Sequence, residues 1–591
     1  MSVGTEPGQR CRRRVRLIPV RPVPVEFAGE RGGEGPLTLG QLNVYSWASG
    51  NPDDVYAVLC VELPVPAGVP AGDVAGAIGM LIARHESLRT TYVPGEQPRQ
   101  RVAAAGVQLL EVCSLGAGPW GPRDRPEVAG ALIRWLRESP DPGRRPVRMA
   151  VAVAPGPGGR VIACAAAFSH VAVDHDAIAI LRRDFAALLA GPARRPAAPP
   201  GHQPLDQARL EATPAEQRRA QAALDYLREQ SERMPRRLYA LPGARASGQS
   251  LAVELSSAPA AMAVRQVAAR TRTSRPSIVL AAICAVIARR AGYPELVVPV
   301  VSSNRFGPHL VNYAGSLAQT SIATIQITGE SFDELAARTW TAVLQASRHG
   351  RYDTVRRTAM DQQTEHQRGL RLTYGPLFNS LVPGSWSGLT AGVGVRPAPV
   401  STPLTPAALR WRPMPPSDLP VRLTLTQIDR CLRLDAWTGD TGLLPRAELE
   451  SVLLAAERLL VTAAHGDLPH SQLPALIGLD PLPATPGQIL IDHCWTDLAA
   501  VQHLTDDALA PATTRVFAPA GDRPLVACLT ATADIRTPEQ AHARCMTALT
   551  RHPTAITPRH YVICSTAPSD PADPTAWPPP LTTGSGRPRD R

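Results

Sequence analysis

Residues 168–185 read FSHVAVDHDAIAILRRDF, and seven consecutive positions within this stretch hold His170, Asp174, His175 and Asp176. Just upstream, RVIACAAAF (160–168) is a continuous apolar run, as expected of a strand buried on both faces. Downstream, Ile178, Leu181, Phe185, Leu188 and Leu189 recur at helical spacing. The polar cluster is therefore expected between a buried strand and an amphipathic helix, a junction that often carries active-site groups. Three chemistries compete for it. As a metal hydrolase site, His170, Asp174, His175 and Asp176 supply suitable ligand types, but a closed site needs further ligands and nothing nearby has ligand spacing. As plain architecture, Asp174 or Asp176 caps the helix by accepting backbone N–H bonds, and His170 is a satisfied buried histidine. As a proton-transfer site, His170 is the side chain whose ordinary pKa lies near neutrality. Ser169 invites a serine nucleophile, yet neighbours on a strand point to opposite faces, so Ser169 and His170 are not expected to share a pocket.

Bulk properties narrow the field. A chain of 591 residues, 44% apolar, is expected to fold as roughly three to four units. No apolar run approaches a membrane span, and the opening MSVGTEPGQRCRRRVR lacks the apolar stretch of a secretory signal, so a cytoplasmic location away from membranes is expected. The ten cysteines are dispersed without any Cys-x-x-Cys pair, which speaks against thiolate zinc and a disulfide framework. The net charge of +11 rests wholly on arginine because the chain contains no lysine, which excludes a Schiff-base lysine, a P-loop lysine and a lysine nucleophile together. With arginines spread along the chain and aromatics at 4%, an acidic protein is a better partner than nucleic acid. The densest basic run, Arg12–Arg16, reads as a solvated tail.

Punctuation divides the chain. GPARRPAAPPGHQPLD (191–206) reads as a linker, LDPLPATPGQ (479–488) as a second break, and no solenoid-period repeat is visible. AGDVAGAIGMLIARH (71–85) has helical spacing, and SLRTTYV (87–93) switches to an extended pattern. Near the end, RPLVACLTA, EQAHARCMTALTR and RHYVICSTAP read as strand, helix and strand of a compact α/β unit.

Several separated segments, in a fixed order, resemble the condensation domains of nonribosomal peptide synthetases. PLTLGQ (36–41) is similar to their opening segment, ARHESLRTTYV (83–93) to their Arg-His-Glu-x-Leu-Arg-Thr signature, and SHVAVDH (169–175) stands where they carry His-His-x-x-x-Asp-Gly. VSSNRF (301–306) and AGSLAQTSIAT (314–324) resemble the later Asn-Arg and Val-Gly-x-Phe-Val-Asn-Thr segments. The likeness covers about residues 36 to 470, and its specificity lies in the order of the segments. It implies an α/β (α+β) fold of two chloramphenicol-acetyltransferase-like halves with a tunnel between them: a basic tail at 1–14, halves at 15–190 and 207–475, and a linker at 191–206. It further implies His170 as the tunnel histidine, and Asp174 as a structural partner of Arg305 from the other half. Three positions depart from the pattern: the first histidine is Ser169, taken as structural; the final glycine is His175, whose imidazole is expected to narrow the tunnel; and the Asn of the later segment is Gln319.

The block at 488–591 weakly resembles the C-terminal subdomain of adenylate-forming enzymes, with Arg587 at the position of their lysine and without the preceding nucleotide-binding core, so ATP-dependent activation is not expected. No Gly-Gly-x-Ser carrier segment is found. The resulting expectation is a stand-alone acyltransferase. It would join an acyl thioester, carried on the phosphopantetheine arm of a separate, acidic acyl or peptidyl carrier protein, to a small amine or alcohol, with no bound cofactor or metal. A thioester is already activated, so positioning and a general base suffice, the base contributing on the order of 10²–10⁴-fold. The alternatives are a catalytically silent module that recruits carrier or tailoring proteins, and the metal hydrolase.

Overall fold

The computed structural model describes residues 15–51, 54–138, 145–156, 159–191, 201–237, 241, 247–382, 407–414, 421–483, 487–518, 524–552 and 554–587. The basic tail at 1–14 and positions 192–200 of the expected linker lie outside the described residues. By packing, the chain separates into two units, one of Met1–Arg218 with Asn304–Ala318 and the other of Arg219–Ser303 with Gln319–Arg591. Residues 207–218, beyond the expected linker, thus remain with the first unit, and so does 304–318, far along the chain.

The first unit contains β1 (Leu17–Pro19), β2 (Val23–Ala28), β3 (Gly33–Pro36), β4 (Val58–Leu63), β5 (Thr90–Val93), β6 (Arg99–Val102), β7 (Ala105–Leu115), β8 (Val147–Val153) and β9 (Val161–Ser169). Its main sheet runs β1-β7-β8-β9-β4 with β2 also on β7; β7 and β8 are parallel and the other pairs antiparallel. A smaller sheet has the order β3-β6-β5. The helices are α1 (Leu39–Gly50), α2 (Ala71–Arg84), α3 (Arg125–Glu138), α4 (His175–Leu189) and α5 (Pro204–Glu211).

Strand β9 explains the apolar run. Cys164, Ala166 and Phe168 enter one core cluster with residues of α2 and α4, while Ala163, Ala165 and Ala167 enter another with residues of α3. A strand covered on both faces has no solvent side to mark with polar residues. In α4, Ile178, Leu181, Phe185 and Leu188 are buried, and Leu189 packs at the margin. The stretch 87–93 is extended only from Thr90, because Glu86–Arg89 form a short 3₁₀ turn.

The second unit holds a seven-stranded sheet. Its strands are β10 (Leu251–Ser257), β11 (Glu295–Ser302), β12 (Gln319–Gln326), β13 (Leu377–Ser380), β14 (Ala408–Pro413), β15 (Val421–Gln427) and β16 (Leu432–Thr438), in the order β12-β11-β13-β15-β16-β10-β14. Helix α6 (Pro214–Arg233) enters this unit at Arg219; α7 (Ala258–Thr271), α8 (Arg275–Ala291), α9 (Phe332–Arg348), α10 (Thr354–Arg368) and α11 (Arg446–Ala463) follow.

The C-terminal block carries a hairpin, β17 (Gln488–Ile491) and β18 (Cys494–Asp497), and a four-stranded sheet. Val526–Thr530 and His560–Cys564 pair in parallel in that sheet, with helix Pro538–Ala548 between them in sequence, matching the strand, helix and strand expected. The block shares a core with the rest of its unit: Cys494, Val501, Leu525 and Ile556 cluster with Leu224, Leu227, Val297, Ile322, Met360 and Leu370. Among the described residues no single helix is long and apolar enough to cross a membrane.

Candidate active site

Strand β9 ends at Ser169, and the chain then turns tightly: the Ser169 carbonyl accepts from the N–H groups of Ala172 (3.0 Å) and Val173 (3.1 Å). His170 sits on this turn, half-buried, with its backbone N–H donating to the Ala57 carbonyl at 2.9 Å. Its Nδ1 lies 3.0 Å from the Val173 carbonyl. A carbonyl oxygen only accepts, so Nδ1 carries the hydrogen, and in the neutral ring the lone pair belongs to Nε2. The local turn thereby selects the tautomer whose outer nitrogen is a base. Trp47 of α1 meets the ring edge to face, centroids 6.4 Å apart at 77°.

Ser169 is buried at 2% exposure, its hydroxyl without a hydrogen-bond partner, and it closes the strand, whereas His170 lies past the strand end, so alternation along a strand does not govern the pair. Asp174, also 2% exposed, is the N-cap of α4. Its carboxylate accepts five hydrogen bonds: from Ala177 N (2.9 Å), Arg305 Nη1 (2.8 Å) and Nη2 (2.7 Å), Leu317 N (2.9 Å) and Ala318 N (3.2 Å). Burial pushes this carboxyl upward, but the Arg305 guanidinium and the backbone donors outweigh it and hold the pKa below the ordinary value. Burial likewise works to lower Arg305, and Asp174 more than offsets it. Arg305 also donates to the Gly315 carbonyl at 2.9 Å.

Asp176 sits in the first turn of α4 rather than at its cap, 3.6 Å from Arg305 Nη1. Burial, with Asp174 adding repulsion and Arg305 opposing it, raises its pKa. His175 opens the helix with its side chain exposed. Gln319 begins β12 in the second unit, where its amide donates to the Tyr352 carbonyl at 2.9 Å.

Residues 304–318 form the counter-surface of the cap. Asn304 adopts φ +56°, which asparagine tolerates better than most side chains, and its Nδ2 donates to the Leu317 carbonyl at 2.9 Å. A Cβ on Gly40 would stand 2.3 Å from the Ser316 carbonyl oxygen, so the opening of α1 presses directly on this strip. At that opening, Thr38 and Gln41 form a reciprocal capping box. Thus PLTLGQ, SHVAVDH and the 304–318 segment, remote in sequence, meet within one unit. Arg305 belongs by packing to the same unit as Asp174, whereas the sequence reading drew it from the other half.

ARHESLRTTYV serves elsewhere. His85, fully buried, contacts Asp184 Oδ2 at 3.1 Å, and Arg84 reaches the same oxygen at 2.9 Å. Glu86 pairs with Arg31 at 2.6 Å, and Arg89 donates to the carbonyls of Arg31 and Ala103. This knot ties α2, α4 and the segments that follow β2 and β6, and desolvation lowers the His85 pKa.

Among the described residues no three His, Cys, Asp or Glu side chains converge as a metal group would require. The donor geometry agrees: the Asp174 oxygens are filled by five N–H donors, and His170 Nδ1 bears a hydrogen. Sequence reasoning missed Trp47, the Leu317 and Ala318 amides and Gly40. Only Gly40 carried a signal, a glycine just inside a helix start where a close backbone approach is needed.

No known family profile matches the sequence. Phosphinothricin tripeptide synthetase PhsC of Streptomyces viridochromogenes is 26% identical over 385 residues, covering 58% of this chain and 32% of that protein, so the match spans about a third of the relative's length. The condensation domain that mediates chain release from the enacyloxin polyketide synthase superimposes with a TM-score of 0.52 and 20% identity, over 78% of this chain and 85% of its own. The X-domain from teicoplanin biosynthesis gives a TM-score of 0.52 and 19% identity, over 75% of this chain and 98% of its own. The chain has the chloramphenicol-acetyltransferase-like fold of the condensation domains of nonribosomal peptide and polyketide synthases.

Proposed function

We propose that the protein is a condensation-type acyltransferase that moves an acyl group from the phosphopantetheine thioester of a separate, acidic carrier protein to an amine or hydroxyl in specialised metabolite assembly. The observation that carries this reading is the tautomer of His170: with Nδ1–H held by the Val173 carbonyl, Nε2 is the basic nitrogen. Nε2 takes the proton of the acceptor as its nitrogen or oxygen attacks the thioester carbonyl. The new C–N or C–O bond forms, the C–S bond breaks, and the imidazolium returns the proton to the departing thiolate. No covalent enzyme intermediate enters. Asp174 and Arg305 do not touch the reacting atoms; they fix the turn on which His170 is carried. The net charge of +11 suits an acidic carrier.

A second reading is a silent module that binds carrier or tailoring proteins without turnover. It is favoured by Ser169 and His175 at two motif positions and by the likeness to an X-domain. One experiment separates the two. The parent, His170→Ala and Ser169→Ala are each incubated with acyl-loaded carrier and an amine or alcohol panel, and the product is read by mass spectrometry. Acyl transfer by the parent and by Ser169→Ala, lost on the order of 10²–10⁴-fold in His170→Ala, is the expected result. Carrier binding by the parent without any transfer would establish the silent module, and equal rates for parent and His170→Ala would overturn the base assignment.

A further inference from the structure

We infer that Trp47 is a positioning residue for the His170 imidazole, an inference that rests on the reading of His170 as the base. The turn holds His170 at two points. Its backbone N–H is held by the Ala57 carbonyl and its Nδ1–H by the Val173 carbonyl, both within or behind the turn. Trp47 stands against the ring with centroids 6.4 Å apart at 77° and limits its swing about the side-chain torsions. An edge-to-face contact at this distance is within the favourable range for aromatic pairs.

A wall positions a ring only if it is itself fixed, and α1 is fixed at several points. Thr38 Oγ1 accepts from Gln41 N at 3.1 Å, and Gln41 Oε1 accepts from Thr38 N at 2.9 Å. Gln41 Nε2 donates to Gln100 Oε1 at 3.1 Å, and Leu39 N donates to Glu211 Oε2 at 2.7 Å. Gly40 lies so close to the Ser316 and Leu317 backbone that no Cβ fits between them. The buried residues of α1 are Gly40, Gln41 and Val44; Trp47 follows Val44 at i+3 on the same face and is half-buried. The indole therefore stands at the margin of the buried face.

The strip at 315–318 holds both sides of the contact. It presses on Gly40 at the start of α1 and, through the Leu317 and Ala318 amides, binds Asp174 at the start of α4, four residues after His170. Base and wall are referenced to one piece of backbone, so their separation is set by short, stiff connections.

The test compares Trp47→Ala and Trp47→Phe with the parent full-length chain. Misplacing a reacting group by about an ångström costs on the order of 10²-fold, and loosening it costs less, so Trp47→Ala is expected to lower kcat about 10–100-fold with KM changed little. Trp47→Phe, which keeps an aromatic wall, is expected to recover most of kcat. A structural role would move neither the pH profile of kcat nor the ring itself. Both are therefore read: the acid limb of the profile, and the His170 Cε1–H resonance, assigned by its absence in His170→Gln. Loss of the indole ring current shifts the resonance in any case, so line width is the readout: the resonance is expected to broaden in Trp47→Ala and to stay as sharp as the parent's in Trp47→Phe. A parental kcat together with a sharp resonance in Trp47→Ala would overturn the inference. The resonance reports ring placement whether or not His170 proves to be the base. Turnover retained in His170→Ala would instead strike the base assignment, so the two failures are distinguishable.

Discussion

Replacing Asp174 by alanine removes a carboxylate that does two jobs, and the structure gives a size to each. As N-cap it satisfies Ala177 N, a contribution of about 1 kcal/mol. As partner of Arg305 it neutralises a guanidinium whose side chain is only 11% exposed, and stranding such a charge costs about 3–5 kcal/mol. Against a typical folding free energy of about 5–15 kcal/mol this is a large fraction. At roughly 2–4 °C per kcal/mol, the charge alone is expected to lower the transition of the first unit by about 6–20 °C. Arg305→Ala leaves the carboxylate still bonded to Ala177, Leu317 and Ala318, so its loss is expected to be smaller than that of Asp174→Ala. The double variant strands neither Asp174 nor Arg305, leaving only Asp176 without its cation, and is expected to fall short of the sum of the singles by about 1–3 kcal/mol. Scanning calorimetry with urea titration measures all four proteins. Additive losses would refute the pairing, and a parental transition in Asp174→Asn would refute the role of charge.

His175→Gly is expected to retain acyl transfer, because the replaced side chain is exposed, with a helix-start cost of about 1 kcal/mol at most; loss of activity together with a metal measured in the parent would restore the hydrolase reading. The depressed pKa of Asp174 makes its contribution complete above the unfolded carboxyl value of about 3.9 and lost as pH falls through its lower folded value, so Asp174→Asn should flatten the acid limb of the stability profile. Asp176 has the opposite sign: its raised pKa makes the ionised form unfavourable, so Asp176→Asn is expected to be neutral or stabilising at pH 7 and without effect at pH 3, as thermal melts at the two values will show. Arg587 donates to the carbonyls of Gln367, Pro558 and Arg559 and to Thr557 Oγ1, and burial lowers its pKa to about 10. Arg587→Ala should therefore release amide exchange at the end of α10, and unchanged protection there would show that Arg587 does not brace that helix end.

The parts of this site that were legible in the sequence are those governed by period. Strand β9 and helix α4 follow from a run of apolar residues and a 3.6-residue spacing, because burial on both faces and burial of one stripe leave different traces. The cap was legible only as a choice between Asp174 and Asp176; the partners of Asp174 decide it, and two of them, the amides of Leu317 and Ala318, are backbone groups that any residue supplies. The knot around His85 and Asp184 was hidden for a related reason: buried ion pairs join residues about a hundred positions apart, and nothing in either local pattern points to the other. In the C-terminal block the strand, helix and strand were visible by pattern. Its fusion with the core around Leu224, Val297 and Met360 was not, since an apolar residue does not state which core it enters.

The order of the motif segments has a physical reason that none of them shows alone. Gly40, Asp174 and Arg305 each lean on residues 315–318: by close backbone approach, by accepting amides, and by donating to a carbonyl. A substitution at any of the three acts on the same strip. If the strip is the common reference, a bulky change at Gly40 should disturb the His170 turn without touching it. Gly40→Ala places a Cβ 2.3 Å from the Ser316 oxygen, a contact that forces the backbone to move. It is expected to lower acyl transfer and to shift the His170 resonance, and Asp174→Asn, which acts on the same strip, is expected to shift it too. If Gly40→Ala destabilised α1 alone and left that resonance in place, the three segments would be separate supports rather than one.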